Sequence, residues 1–310
     1  MPTAVHLPTV KQLQYLVALR QHGHFGRAAE ACFVGQSTLS ASLRELESLL
    51  GATLVERTRR VVRFTALGEK IADKAAKVLR EAEELADIAR GEGQPLAGEL
   101  RMGVIPTIAP FLLPAMLPRL RAQWPRLRLY LREETSQASC EALHRGQLDC
   151  VLLAFPFACG DVGSAELFDD RLFVAYPEGE APATASAEVE TIDENRLLLL
   201  EDGHCLKDHA LSACNRPDLR AHAFMMATSL HTLVQMVDNG LGHTFIPALA
   251  IEAGILEGTR VEAKPLRSDN GFRRIALVWR RSSARENEFE LLARTLRRIA
   301  SELMPELELA

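Results

Sequence analysis

The feature that most constrains the fold is a long helical stretch about a quarter of the way along the chain. Residues 66–89 contain no proline and a single glycine near the start. Apolar residues recur there in steps of four and three, which places them on one helix face. They are Ile71, Ala75, Val78, Ala82, Leu85 and Ala89. The stretch predicts a helix that separates two modules and pairs with the same helix of a second copy, unless this face packs on its own domain.

Length and composition indicate a soluble protein of two or three domains. The chain has 310 residues, 47% of them hydrophobic and 25% charged, which is ordinary for globular proteins. The N-terminus lacks the pattern of a signal peptide, and no apolar run is long enough for a membrane helix. We therefore expect a cytoplasmic protein with no membrane association. Six cysteines in that compartment are not expected to form a structural disulfide framework.

The charges are distributed unevenly along the chain. Residues 1–80 hold 12 Lys and Arg against 6 Asp and Glu, whereas the remaining residues hold 24 against 35. A basic N-terminal part on an acidic body predicts a nucleic-acid-binding module attached to a domain of another kind.

The N-terminal part has the pattern of a helix-turn-helix. Apolar spacing predicts a helix over residues 10–20, a short one over 25–32 and a third that begins after Ser37 as N-cap and ends at Gly51. Two short helices with a tight turn between them place the second in the DNA major groove. An ordinary three-helix core with solvated polar residues is the alternative.

A basic tip follows the third helix. Apolar pairs before and after it predict a two-stranded wing whose arginines contact phosphate. The residues expected to contact DNA in the helix and the wing are Gln36, Ser37, Thr38, Ser40, Arg44, Arg57, Arg59 and Arg60.

The C-terminal body alternates strands and helices. Continuous apolar strands, for example residues 150–154, predict a parallel sheet covered on both faces. We predict a winged helix-turn-helix domain (1–65), a dimerising linker helix (66–90), a hinge (91–97) and an α/β two-lobed sensor domain (98–310). Its two lobes are expected over residues 98–168 with 277–310, and over 169–276. Sites in such folds lie at strand ends and between lobes.

Two cysteines nine residues apart stand out in the sensor body. Cys205 follows a Gly-His pair, and Cys214 ends a short helical pattern. If Asp202 caps this helix, Cys205 lies in its first turn, where the helix dipole favours a thiolate. Along an intact helix the two Cα atoms lie about 13 Å apart, whereas a disulfide needs less than about 7 Å. Two ordinary reduced thiols are therefore one interpretation, and a disulfide that requires local unfolding is the other.

The remaining cysteines carry less information. Cys32 falls on the core face of a helix and Cys150 starts a buried strand. Cys140 and Cys159 have no supporting context and are interpreted as structural or incidental. No pair has C-x-x-C spacing and no HExxH motif is present, so we expect no metal and no cofactor.

Five N-terminal motifs, in order, resemble those of the LysR-type transcriptional regulators. They are Phe25-x-x-Ala28-Ala29, Gln36-Ser37-Thr38-Leu39-Ser40, Leu46-Glu47-x-x-Leu50-Gly51, Leu54-x-x-Arg57 and Thr65-x-x-Gly68. The resemblance implies a winged helix-turn-helix, a dimerising linker helix and a periplasmic-binding-protein-like sensor domain. It also implies binding to a pseudo-palindromic operator in double-stranded DNA, contact with RNA polymerase, and a homotetramer built from dimers.

Within that family the sensor body resembles the members that sense hydrogen peroxide and control antioxidant genes. The resemblance is carried by residues 105–114, 148–151, 200–208 and 227–230, together with Cys214. It implies that Cys205 is the peroxidatic and Cys214 the resolving cysteine, with the disulfide reduced by glutaredoxin and glutathione or by thioredoxin. The residues expected to bind or activate peroxide are Thr107, Ser136, His204, Thr228, Ser229 and Arg280. Phe224 stands where some relatives carry a histidine, which puts a proton-handling role there in doubt.

Three other functions fit parts of the sequence. A LysR-type regulator of a small organic effector would need no special thiols. A thiol peroxidase would leave the basic N-terminal module unexplained. A secreted solute-binding protein would explain the two-lobed body but not the first 90 residues.

Overall fold

The computed structural model describes residues 7–57, 62–90, 95–213 and 225–303. The chain divides into an N-terminal unit, residues 1–92, and a C-terminal unit, residues 93–310. Most of the predicted hinge, residues 91–94, lies outside the described residues.

The N-terminal unit is helical with a small two-stranded sheet. Its elements are α1 Val10–His22, α2 Phe25–Ala31, α3 Gln36–Leu50, β1 Val55–Arg57, β2 Val62–Phe64 and α4 Ala66–Arg90. β1 and β2 pair antiparallel, which is the arrangement predicted for the wing. Leu16, Leu39 and Leu46 are fully buried between the helices, so the apolar spacing of the sequence forms the core of the unit.

Capping residues set the helix ends. The Thr9 side chain accepts from the Gln12 amide in a capping box, and Gly23 ends α1 with φ of 60°. α3 starts at Gln36 after Gly35, without a side-chain cap. The prediction that Ser37 is the N-cap is therefore wrong, and Ser37 lies in the first turn.

α4 uses its apolar residues for two purposes. Of the predicted face, Ala75 is buried in the core of the N-terminal unit and Ile71 is partly buried against it, beside the buried Ala72 and Leu79. Val78 and Leu85, seven residues apart, are 50% and 71% exposed. The first part of the predicted dimer face thus packs within its own unit, while the later part leaves apolar side chains uncovered.

The C-terminal unit has a ten-stranded mixed sheet with helices. Its elements are β3 Gly98–Val104, α5 Ala109–Gln123, β4 Leu127–Glu133, α6 Ser136–Arg145, β5 Cys150–Phe155, β6 Val162–Tyr176, β7 Ala187–Glu188, β8 Leu197–Leu200, α7 Cys205–Ala213, β9 Met225–Ala227, α8 Leu230–Asp238, β10 His243–Pro247, α9 Ala248–Glu252, β11 Glu262–Arg267, β12 Phe272–Arg280 and α10 Glu286–Leu303.

The sheet is only partly parallel, which corrects the prediction. β3 pairs parallel with β4 and β5, and β8 pairs parallel with β9 and β10. Between these two groups lie β12 and the long strand β6, which pair antiparallel with each other and with β5 and β10 respectively. β6 spans 15 residues and belongs to both groups, so one strand joins the two halves of the unit.

This topology brings several segments together where the two groups of parallel strands meet. Thr107 follows β3, α6 follows β4, and Cys205 follows β8, all at the carboxyl ends of parallel strands. Because β6 runs antiparallel to both β12 and β10, the carboxyl ends of the two groups face each other along this strand. β12 runs antiparallel to β5, so its first residues reach the same place, where Arg274 pairs with Phe155. Within the described ranges, no helix is both long and apolar enough to cross a membrane.

Candidate functional site

Cys205 is the first residue of α7 and is 2% exposed. Gly203 precedes it with φ of +94°, a left-handed conformation that favours glycine and turns the chain from β8 into the helix. Since α7 begins at Cys205, the position before the helix belongs to His204. Asp202 lies three residues before Cys205, and its role as a cap of α7 stays a prediction. The Asp202 carboxylate accepts a hydrogen bond from Lys207 Nζ at 2.8 Å.

A fully buried arginine, Arg273, organises the site beside the cysteine. Its Nη1 donates to Thr107 Oγ1 at 2.7 Å, and its Nη2 donates to the Thr107 carbonyl at 2.9 Å. Its Nε and Nη2 donate to Asp170 Oδ2 at 3.0 and 2.9 Å. Both members of the Arg273–Asp170 ion pair have 0% side-chain exposure. A buried pair with this many hydrogen bonds holds both side chains in one geometry.

The surroundings of the Cys205 thiol shift its pKa in opposite directions. Burial raises its pKa above the ordinary value, and this is the largest effect. The positive charge of Arg273, a hydrogen bond from Ser136 and a backbone hydrogen bond from Ala154 each lower the pKa. The thiol therefore rests protonated, in an environment that already holds the groups that stabilise a thiolate.

Ser136 faces this thiol from another helix. It is 1% exposed and is the first residue of α6, after the N-cap Thr135. Among the described residues no nitrogen or oxygen atom partners its hydroxyl, which leaves the Cys205 sulfur as its hydrogen-bonding neighbour. A buried hydroxyl without a second partner is available to a small polar ligand.

The positive charge near Cys205 does not come from the residues around it in sequence. Burial lowers the pKa of His204, and it lowers the pKa of His209 to about 4, so both imidazoles are neutral at pH 7. Lys207 is 4% exposed and is paired with Asp202. Arg273 is the cation whose charge lowers the pKa of the Cys205 thiol.

Three of the predicted peroxide residues are exposed or have other hydrogen-bond partners. Thr228 is exposed, and the Ser229 hydroxyl caps α8 by accepting from the Thr232 amide. Arg280 ends β12, about 23 Å along the strand from Arg273, and donates to the carbonyls of Leu143 and Leu148. This corrects the prediction for Arg280, since the arginine beside the thiol is seven residues earlier.

Arg273 had only a weak signal in the sequence. It alternates with half-buried Arg274, which pairs with Asp169, and both stand at the start of an apolar strand. A charge on the inward-facing position of a buried strand is the signal that could have found it. Asp170, its partner on β6, is 103 residues distant in the chain.

The predicted resolving cysteine, Cys214, and Phe224 lie outside the described residues. The helix before Cys214 is described to its last residue. Ala213 lies about 12 Å from Cys205 along the axis of α7, and one more residue spans at most about 3.8 Å. A disulfide between Cys205 and Cys214 therefore requires α7 to unwind.

Two cysteines that the sequence left without context are joined. Cys140 of α6 and Cys159, in the loop between β5 and β6, form a disulfide with their Cα atoms 5.4 Å apart. Of the two interpretations, structural or incidental, the bond favours the structural one, and it runs against the expectation that the cysteines form no structural disulfide. Of the other described cysteines, Cys32, Cys150 and Cys205 are free thiols, and burial raises the pKa of each.

The N-terminal unit presents the polar surface predicted for DNA contact. Gln36, Ser37 and Thr38 are exposed at the start of α3. Arg44 is exposed one turn beyond Ser40 and donates to its hydroxyl at 3.2 Å. The side chain of Arg57, and Arg59 and Arg60 entirely, lie outside the described residues.

Within the described part of the chain, no group of three or more His, Cys, Asp or Glu side chains is arranged to hold a metal ion.

Both units match known families over most of their length. Residues 10–69 match “Bacterial regulatory helix-turn-helix protein, lysR family”, and residues 93–301 match “LysR substrate binding domain”. The family is one of DNA-binding transcription regulators, not of enzymes.

Several relatives are similar over nearly the whole chain. The HTH-type transcriptional regulator EstR of Acinetobacter baylyi is 39% identical over 96% of this chain and 99% of its own. The DNA-binding transcriptional dual regulator OxyR of Escherichia coli is 38% identical over 93% of this chain and 94% of its own. The structure of full-length OxyR from Pseudomonas aeruginosa, a cysteine-to-aspartate variant, matches with a TM-score of 0.79 and 36% identity, covering 94% of this chain and 95% of that one. The chain therefore belongs to the LysR family of bacterial transcription regulators and is a homologue of OxyR.

Proposed function

We propose that this protein is a hydrogen-peroxide-sensing transcription regulator switched by a reversible Cys205–Cys214 disulfide. The observation that carries the proposal is the buried Cys205 thiol, whose pKa is lowered by the charge of Arg273 and by a hydrogen bond from the buried hydroxyl of Ser136. Relatives support it, since curated proteins 38% identical over more than 90% of this chain are named hydrogen peroxide-inducible genes activators.

The chemistry follows from the groups around the sulfur. The thiolate of Cys205 attacks one peroxide oxygen, the O–O bond breaks, and a sulfenic acid forms while hydroxide leaves and takes up a proton to become water. Thr107 Oγ1 accepts from Arg273, so its own O–H can donate to a peroxide oxygen, as the Ser136 hydroxyl can. Arg273 stabilises the negative charge that moves from the sulfur to the leaving oxygen.

The sulfenic acid is then resolved by the second thiol. Cys214 attacks the sulfur of Cys205, an S–S bond forms and a second water leaves. Closing this bond unwinds α7, because the helix holds its two ends about 12 Å apart. Two thiols of a reductant such as glutathione with glutaredoxin, or of thioredoxin, reverse the step and allow the helix to re-form.

Unwinding of α7 is the conformational signal in this account. The rearrangement repacks the C-terminal unit and changes how a dimer presents its α3 helices to a pseudo-palindromic operator. The exposed Val78 and Leu85 of α4 support a dimer through this helix. A homotetramer, contact with RNA polymerase and control of antioxidant genes complete the proposal.

The test uses the full-length chain and genomic fragments selected by its reduced form. Footprints are recorded with the reduced chain and after one equivalent of hydrogen peroxide, for the wild type, Cys205→Ser and Cys150→Ser. We expect peroxide to change the footprint of the wild type and of the Cys150→Ser control, and to leave that of Cys205→Ser unchanged. A footprint that peroxide does not alter in the wild type contradicts the proposal.

A regulator of a small organic effector is the second candidate. The observation that favours it is the 39% identity with EstR, whose name mentions no peroxide. In that case peroxide leaves Cys205 and Cys214 unlinked, and an organic compound shifts the footprint equally in the wild type and in Cys205→Ser.

A further inference from the structure

We propose that the Cys140–Cys159 disulfide is a second thiol–disulfide site, which exchanges with small thiols and adjusts the surroundings of Cys205. The proposal rests on the proposed function only in its consequence for peroxide sensing. The site itself stands on the geometry of α6 and of the loop at residues 156–161.

The two sulfurs meet in a place that other contacts also define. His144, one turn beyond Cys140 on α6, donates through Nε2 to the Cys159 carbonyl at 2.6 Å. The next residue, Gly160, has φ of +75°, and a Cβ there would come within 2.8 Å of the His144 ring. The hydrogen bond from His144 thus holds the loop against α6 independently of the S–S bond, and Gly160 allows the close approach. The reduced thiols would therefore also face each other.

The compartment argues for exchange rather than a permanent link. A protein that binds chromosomal DNA works among thiol reductants, where disulfides are usually transient and serve catalysis or redox sensing. Cys140 and Cys159 are buried, at 6% and 4% exposure, so the site fits a small reagent such as glutathione better than a protein reductant.

Both joined segments contact the helix that begins at Cys205. Ser136, four residues before Cys140 on the same helix, hydrogen-bonds the Cys205 thiol. On the other segment, the Pro156 carbonyl accepts from His209 Nε2 of α7 at 2.9 Å. The disulfide therefore fixes, relative to each other, two groups that position α7. Opening it frees α6 and the loop to move apart and loosens both contacts.

Glutathione and its disulfide supply all the atoms and electrons that the exchange needs. Two molecules of glutathione reduce the bond in two steps through a mixed disulfide, giving two cysteine thiols and one molecule of glutathione disulfide. In the reverse direction glutathione disulfide takes two electrons from the cysteines, the S–S bond re-forms and two molecules of glutathione leave.

The test uses the full-length Cys205→Ser/Cys214→Ser variant, so that its result does not depend on the proposed switch. The reduced chain is treated with glutathione disulfide, acid-quenched, alkylated and mapped by non-reducing peptide mass spectrometry. We expect a 140–159 cross-link that glutathione removes. Two alkylated thiols after oxidation, or a cross-link that glutathione never opens in the folded chain, would overturn the site.

The coupling is tested by amide hydrogen exchange of α7 in the same variant. We expect residues 205–213 to exchange about fivefold faster when the 140–159 bond is open, the effect of about one hydrogen bond. Cys32 lies in the other unit, so Cys32→Ser is the matched control and should leave this difference unchanged. Equal exchange in the two redox states would overturn the coupling.

In an otherwise wild-type chain, Cys140→Ala/Cys159→Ala should react with peroxide at Cys205 about fivefold more slowly than Cys32→Ala. An equal rate would also overturn the coupling. Failure of the Cys205–Cys214 disulfide to form would contradict the proposed function and would leave the 140–159 result in the double-serine variant unaffected.

Discussion

Arg273 and Thr107 lie 166 residues apart in the chain, and the arginine donates hydrogen bonds to both the hydroxyl and the carbonyl of the threonine, at 2.7 and 2.9 Å. The same guanidinium is anchored on the opposite side by Asp170. The contact joins the segment after β3 to the start of β12, in a layer with no solvent access. The positive charge of Arg273, held in this one position, lowers the pKa of the Cys205 thiol.

Removal of this guanidinium should lower the free energy of unfolding of the C-terminal unit. Arg273→Gln leaves the Asp170 carboxylate buried without a counter-charge, which typically costs about 3–5 kcal/mol. It also removes the main positive influence on Cys205, so the pKa of the thiol rises further and its reaction with peroxide slows. Denaturant unfolding measures the first effect, and the pH dependence of Cys205 alkylation measures the second.

The neighbouring arginine provides the matched control. Arg274 has 38% side-chain exposure and pairs with Asp169 at the surface, so Arg274→Gln should cost less than about 1 kcal/mol. Equal stability losses in the two variants would mean that burial of the Arg273–Asp170 pair does not matter.

Acid should destabilise the C-terminal unit through His209. Burial lowers the pKa of this imidazole to about 4, below the value of about 6.5 in an unfolded chain. Between these two pH values the imidazole binds a proton in the unfolded state but not in the folded state, so stability falls as the pH drops from 6.5 towards 4. This histidine should contribute a loss of about 2 kcal/mol between pH 7 and pH 5.

Denaturant unfolding of His209→Gln at the two pH values checks this expectation. Glutamine can still donate to the Pro156 carbonyl but does not titrate, so the variant should lose less stability on acidification than the wild type. His231 is exposed, and His231→Gln is the control that should behave like the wild type. An unchanged pH dependence in His209→Gln would show that other groups cause the loss.

DNA binding should depend on Arg44 through phosphate contact. Arg44 is exposed on α3 and is steadied by Ser40. Arg44→Ala should weaken binding and reduce the slope of log affinity against log salt by about 0.9, the value for one released counterion. A salt titration by fluorescence anisotropy measures this, with Lys77→Ala on α4 as the control. The idea fails if the two variants show the same slope.

Dimerisation should depend on the exposed end of the α4 face. Leu85 is 71% exposed, and covering each such leucine stabilises a dimer by about 1.5–3 kcal/mol. Leu85→Glu should therefore raise the dimer dissociation constant at least tenfold in sedimentation experiments, taking about 1.4 kcal/mol per factor of ten. Glu81→Gln, on a polar position of the same helix, is the control. A dimer that withstands Leu85→Glu does not use this surface.

Local periodicity predicted the helices of the N-terminal unit and the buried strand over residues 150–154 of the sensor body. These elements depend on apolar spacing and on turn residues near them in sequence. The antiparallel course of β6 was missed because the direction of pairing depends on strands about 70 or more residues away. Apolar spacing within one segment does not show which distant strand it pairs with.

The site shows the same division between local and distant information. The position of Cys205 at a helix start follows from its own segment, whereas the choice of Arg273 over Arg280 depends on which face of β12 meets Asp170. The Cys140–Cys159 bond joins residues 19 apart that share no motif. Each of these features is fixed by packing between segments, which one sequence does not reveal.

The most direct test of the account is non-reducing peptide mapping of the full-length chain after one equivalent of hydrogen peroxide. Cys214→Ser, examined in parallel, should stop at a sulfenic acid on Cys205 that a dimedone probe labels. We expect a peptide pair joined through Cys205 and Cys214 in the wild type, and loss of amide protection across residues 205–213 in the same sample. A chain in which peroxide leaves Cys205 and Cys214 unlinked, or links them while α7 stays protected, would contradict it.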